Sequence, residues 1–242
     1  MTSFPARKQT RIVEKEDIIM TNFTGKNIER KLKILIVGLG GIGSQLTDLV
    51  VPALSIGHIS IELYLMDDDN VELHNIGHQK YQHHEIGQSK VSSLNERYSI
   101  YQNVKIIPIE EKLTENTQLE MYDIIVVSVD RDNPRRIVHS SGKAWVDLRC
   151  QGDGWMMLDS DTDSNIVSSF PKNEQPVSCQ LVGAIDEGNI QFGFAAVAAI
   201  GAQWVLQKIR MSHGVTTKVP RFSMGYLTHG EMRFSHGGLK SE

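Results

Sequence analysis

The sequence predicts an α/β fold in which a mostly parallel β-sheet is flanked by helices and extended by a C-terminal β-hairpin. Three observations carry that prediction. The run LKILIVGLGGIGSQLTDLVVPAL, starting at Leu32, is an apolar segment, a glycine turn and then a helical pattern, which is how a buried parallel strand feeding a helix reads. Counting that pair, the elements run in the order strand, helix, strand, helix, strand, strand. Near the C-terminus RFSMGYL and EMRFS flank a turn at residues 228–230 and read as a hairpin.

Taken in order, residues 1–30 are polar and mixed in charge, without a sustained period, and are expected to form an arm, with a short helix around residues 11–20. The domain proper is expected over residues 31–242. After the first strand and helix, ISIELYLMD forms a second strand ending in Asp67, Asp68 and Asp69, and a His-rich stretch over residues 70–90 should be loop and short helix. A helix over 88–98 leads to strand VKIIPI and then to strand DIIVVSVD, which ends at Asp130. A helix over 135–141 and strand AWVDLRC come next. Residues 153–176, rich in Asp, Ser and Asn, suit a long loop or a hairpin insertion. GNIQFGFAAVAAIGAQWVLQKIR is the most apolar helix, and its small residues allow close backbone approach. Trp145, Trp155 and Trp204 read as anchors of the core or of hairpins.

Composition narrows the class. With 242 residues, 40% hydrophobic and 22% charged, the chain can bury an ordinary globular core. A net charge of -4 leaves no basic footprint for nucleic acid or anionic lipid. No apolar run is long enough to span a bilayer, and MTSFPARKQTRIVEKEDIIM lacks the apolar centre of a secretory signal, so a cytoplasmic location is expected. Two cysteines are too few for a disulfide framework or a four-thiolate zinc site.

Gly38-x-Gly40-x-x-Gly43 directly follows a strand and opens a helix. That context marks a Rossmann-like nucleotide site, because glycines permit the tight turn and let phosphate approach amides at the helix N-terminus. A carboxylate at the end of the second strand ordinarily holds ribose hydroxyls roughly twenty residues on. Asp67 stands at that strand end but at a longer interval, which weakens a plain NAD fingerprint and leaves a solvated strand end as the alternative.

Four ordered blocks, GLGGIGS, LMDDDNVELHNIGHQ, EIGQSKV and SVDRDNPRR, resemble the ThiF/MoeB/HesA family, related to the ubiquitin-activating enzymes. The resemblance covers residues 31–150, and 178–210 is similar to that family's later cysteine loop and helix. It implies that ATP and Mg²⁺ are used to adenylate the C-terminal carboxylate of a small ubiquitin-like or sulfur-carrier protein ending in Gly-Gly, by a homodimer. Carried over residue by residue, it places Gly38, Gly40, Gly41, Gly43 and Ser44 around ATP, Asp67 on its ribose, and Asp69 and Asn75 beside it. Lys90 would reach the phosphates and Asp130 would organise magnesium. Negative charge builds on phosphoryl oxygens and departing pyrophosphate in such a reaction, so fixed cations are required.

The chain departs from the pattern at one position. Where the family has an arginine on the phosphates, this chain has His78. Guanidinium is permanently charged and grips phosphate with two parallel bonds, whereas a neutral imidazole offers one donor. The open readings are a protonated His78, another cation such as Arg131 or Arg149, an arm residue of a neighbouring copy such as Arg11, or impaired adenylation in a nucleotide-binding partner subunit. An NAD- or FAD-dependent oxidoreductase is a third class, although it gives the Asn75–Gln79 and Lys90 elements no role.

Cys179, just before the apolar helix, stands near the family's acyl-accepting cysteine. A thiolate there is a competent nucleophile toward an acyl adenylate, while an inert buried thiol is the plain alternative. Cys150 lies in an apolar strand and reads as structural. His74, His78, His83 and His84 crowd one stretch without metal-ligand spacing, so they read as loop residues near phosphate.

Overall fold

A computed structural model describes residues 31–57, 59–170, 178–219, 221–228 and 230–235. The expected arm over 1–30, Arg11 included, lies outside them. The described strands are β1 (Leu32–Val37), β2 (Ile61–Met66), β3 (Val104–Ile109), β4 (Ile124–Val127), β5 (Ala144–Gln151), β6 (Gly154–Asp159), β7 (Phe222–Tyr226) and β8 (Glu231–Ser235). The described helices are α1 (Gly41–Ser55), α2 (Lys90–Tyr98), α3 (Asp132–His139), α4 (Ser164–Ser169) and α5 (Gly193–Ser212).

These strands form one sheet in the order β3-β2-β1-β4-β5-β6-β7-β8. The first five are mutually parallel, and β6, β7 and β8 continue antiparallel. Both faces of the parallel part are covered, which explains why β1 and β4 read as unbroken apolar runs rather than alternating ones. Ile34 and Ile36 of β1 pack in a core with α1, α2 and α5, while Leu35 and Val37 turn to a second core with α3 and the segment around Leu113–Tyr122. Pro108 is tolerated in β3 because that strand is an edge of the sheet.

Of the two alternatives for 153–176, the described residues 153–170 follow the hairpin: β6 turns back on β5 through Gly152 at φ +61 and is followed by α4. Two helix starts differ from the sequence expectation. The apolar helix starts at Gly193 instead of residue 188. The Gln180 carboxamide takes the backbone of Gln191 in both directions, donating to its carbonyl at 2.8 Å and accepting its N–H at 2.9 Å, and this holds the preceding segment out of the helix. α3 starts at Asp132, three residues early. The tryptophans behave as anchors: Trp145, Trp155 and Trp204 are all buried.

α5 is placed by its small residues. A Cβ at Gly201 would lie 2.4 Å from Leu148 Cδ1 and 3.0 Å from Leu46 Cδ1, so its absence lets α5 seat against both β5 and α1. No described helix is long and apolar enough to cross a membrane.

Candidate functional site

Strand order reverses between β1 and β4, and in open α/β sheets that reversal opens a crevice at the carboxyl ends of the strands. β1 delivers Gly38 there, β2 delivers Asp67, and β4 delivers Ser128 and Asp130. The β1–α1 turn requires glycine at two points. Gly38 has φ +86, and a Cβ on Gly43 would sit 1.8 Å from the Gly38 carbonyl oxygen. Ser128 Oγ donates to that same carbonyl at 2.8 Å and ties the turn to β4. Gly40 caps α1 without a side-chain bond, and among the described residues the Gly41 and Ile42 amides have no protein acceptor. Such amides, at the positive end of the helix dipole, form a cradle for an anion.

Asp67 holds this turn as much as it faces the crevice. Its Oδ2 accepts the Leu39 N–H at 2.5 Å and its Oδ1 accepts the Asp69 N–H at 2.9 Å. Burial pushes its carboxyl above the ordinary value, with the Lys90 charge and the two amides pulling against it. The 70–90 segment is pinned to the same turn: Ser44 Oγ accepts the Lys80 N–H at 3.0 Å, and the Tyr81 hydroxyl donates to the Leu39 carbonyl at 2.8 Å.

Lys90 opens α2 with its side chain only 7% exposed, and its ammonium donates to Asp69 Oδ2 at 2.9 Å. Asp67, Asp68 and Asp69 are the one described trio whose ligand atoms approach within 4.8 Å of one another. Their charges are engaged by backbone amides, Lys112 and Lys90 respectively. Asn75 is buried and closes the 3-10 turn Leu73–Asn75 by accepting the Glu72 N–H at 2.8 Å. Asp130 is half exposed, 4.0 Å from the Arg131 Nε. Its hard oxygens suit Mg²⁺, which is held by one or two carboxylates together with substrate phosphates.

His78 is buried edge-on to Phe194, and its Nδ1 has no hydrogen-bond partner among the described residues. Burial, then the neighbouring His74 and Lys90, lower its pKa. A ring withdrawn from water beside a lysine resists a second positive charge, which weighs against a protonated His78 as the stand-in for arginine and toward the other cations of the wall.

One cavity of about 980 Å³ gathers most of the expected residues: Gly38, Gly40, Gly41, Asp67, Asp69, Asn75, His78, Lys90, Asp130 and Cys179. Gly43 and Ser44 do not line it, and they act instead by shaping the turn behind it. His74 lines it, whereas His83 and His84 do not.

Two groups of residues, in the wall or directly behind it, were not singled out as partners by the sequence. Asp147, fully buried on β5, accepts from Arg149 Nε at 3.0 Å and Arg149 Nη2 at 2.7 Å, lies 3.1 Å from His139 Nε2, and contacts the Arg135 guanidinium. Burial, with Arg149 beside it, pushes Arg135 down to about 9, and burial together with both arginines pushes His139 down to about 4. Cys150 is the other. It lines the cavity and its thiol shares a hydrogen bond with Cys179, raising its own pKa and lowering that of Cys179. Charge in an apolar-looking strand was the available signal for Asp147 and Arg149; for Cys150 there was none.

The sequence matches the profile of the ThiF family across residues 17–236. The chain belongs to the ThiF family. Solved structures agree in fold. PaaA superposes with a TM-score of 0.62 at 18% identity, over 97% of this chain and 77% of that one. Escherichia coli MccB with ATP gives 0.60 at 16% identity, over 90% of this chain and 66% of MccB. MccB with AMPCPP and MccA gives 0.63 at 17% identity, with the same coverage of each chain. This ThiF-family chain thus spans just under two thirds of the length of MccB. No curated protein matches it significantly.

Proposed function

We propose that this ThiF-family protein uses ATP and Mg²⁺ to adenylate the C-terminal carboxylate of a small ubiquitin-like or sulfur-carrier protein ending in Gly-Gly, acting as a cytoplasmic homodimer. The observation that carries the reading is the shared cavity: the glycine turn, Asp67, Lys90 and Asp130 line the same space as Cys179. A nucleotide and a second reactant must meet in one enclosure for a carboxylate to attack the α-phosphate. MccB, similar in fold, is solved with ATP and with AMPCPP together with MccA, which is consistent with such a pairing.

Each residue then has a task. The Gly41 and Ile42 amides, without an acceptor among the described residues, bind phosphate oxygens. Asp67, fixed by the Leu39 and Asp69 amides, receives ribose hydroxyls. Lys90, held by Asp69, supplies the fixed cation for charge developing on the phosphoryl oxygens. Asp130 would hold magnesium, which when bound neutralises the phosphates. Arg149, clamped to Asp147 in the cavity wall, stands in for the absent family arginine. Cys179 accepts the activated acyl group.

ATP–pyrophosphate exchange with purified protein and candidate carriers tests this. Exchange should appear with a carrier whose C-terminal carboxylate is free and vanish when that carboxylate is amidated. Absence of exchange with every carrier across the pH range would overturn it. Buried His78, whose pKa is lowered by its surroundings, favours a second reading, a partner subunit that binds ATP without turnover. Under that reading, adding an active paralogue restores exchange, and the His78→Arg variant gains at least about tenfold in exchange, the return of one bidentate phosphate contact.

A further inference from the structure

Cys150 and Cys179 are the only cysteines in the sequence. Cys150 stands near the end of β5, and the chain around Cys179 is laid beside that end by a hydrogen bond from the Gly152 N–H to the Cys179 carbonyl at 2.9 Å. Both side chains are half-buried, both line the large cavity, and the two thiols share a hydrogen bond. Arg149 of the same wall also lines that cavity, and the Arg135 charge acts on both sulfurs.

We propose that Cys150 and Cys179 are a redox modification site, closing to an intramolecular disulfide when the protein meets a hydroperoxide. The step balances with the peroxide as the two-electron acceptor. The Cys179 thiolate attacks one peroxide oxygen, the O–O bond breaks, and the departing hydroxide takes up a proton as water, leaving a sulfenic acid. The Cys150 sulfur then attacks the Cys179 sulfur; the S–O bond breaks, and the hydroxide leaves as water with the Cys150 proton.

The order of events follows from the surroundings. The Arg135 charge acts on both sulfurs and favours a thiolate in the pair. Cys179 stands in a connecting segment beside exposed Ser178, whereas Cys150 is fixed within β5. Cys179 is therefore taken as the sulfur that reacts first, and Cys150 as the one that resolves it. Thiols whose segments are tied together by the Gly152–Cys179 backbone bond, one on a rigid strand and one in a connecting segment, need only a local adjustment to reach disulfide geometry. Closure consumes the Cys179 thiol and removes a nucleophile from the cavity wall. The glycine turn is not part of the pair.

The test uses the full reduced chain. After brief exposure to hydrogen peroxide and alkylation with iodoacetamide in denaturant, intact mass should show the loss of two hydrogens. Alkylatable thiols should fall from two to none per chain, and dithiothreitol should restore both. A non-reducing gel should show a monomer. In Cys150→Ser, dimedone should trap a sulfenic acid at Cys179. Two alkylatable thiols after peroxide, disulfide-linked dimers, or over-oxidation of wild-type Cys179 to the sulfinic acid would each overturn the proposal. The readout needs no nucleotide or carrier, so it stands or falls separately from adenylation.

Discussion

Lys90 is the residue on which the site's electrostatics turn. Its ammonium is withdrawn from water yet balanced by Asp69, whose own side chain remains well exposed. A bound anion can therefore share the lysine with Asp69 without either charge being stranded. Lys90→Met keeps the volume of the stem and removes the charge. It should lower ATP–pyrophosphate exchange by about 100-fold or more, in the range seen when one donor to a developing oxyanion is lost, and leave the melting temperature of the nucleotide-free protein little changed. Asp69→Asn should cost less, because it loosens the lysine without discharging it. The block pattern made Lys90 legible in the sequence. The lowered pKa of His78 was not, because that depends on burial, His74 and Lys90, none of which spacing alone reveals.

At the scale of the element, the β1–α1 turn works by steric exclusion. Gly43 crosses the Gly38 carbonyl so closely that a methyl group cannot be admitted unless the turn opens, and Ser128 and Asp67 hold it shut from two neighbouring strands. Gly43→Ala should abolish the rise in melting temperature that ATP produces by mass action and also destabilise the nucleotide-free protein, by about 1–3 kcal/mol as overpacking does. Gly40→Ala is the contrasting variant: a Cβ there meets nothing within 4 Å, so the free protein should stay stable, and any loss of ATP response reports crowding of the ligand itself. Thermal melts with and without ATP distinguish the two. A glycine count treats these positions alike; their different duties follow from where the neighbouring strand places its carbonyls.

For the whole molecule, the two cores on opposite faces of the sheet meet the charged cluster where β5 passes between α3 and the cavity. His139 stacks on Trp145 with ring centroids 4.2 Å apart and sits against Asp147, with its pKa lowered from 6.5 to about 4. The folded state then binds fewer protons than the unfolded chain between those values. The stability contributed by neutral His139 is present above pH 6.5 and lost as pH falls toward 4. Urea titrations across that window should show a fall of about 1–3 kcal/mol attributable to this group, allowing for partial solvent screening. In His139→Gln the pH slope should flatten, even though the variant starts less stable for want of the Trp145 stack. An unchanged slope would assign the acid sensitivity to other groups.

The sequence by itself determined the parallel sheet, the glycine turn and the acidic strand end, because each rests on local chemistry: buried strands need apolar residues on both faces, and only glycine admits the turn's conformation. It also contained the ThiF-family blocks, since those residues cluster within short segments. Tertiary structure alone decided which side chains share the cavity. Gly43 and Ser44 fell behind it, Cys150 met Cys179 across residues far apart in the chain, and Arg135, His139 and Arg149 converged on Asp147. Burial and proximity set the charge states there, and both are properties of packing between elements that no local window of sequence contains.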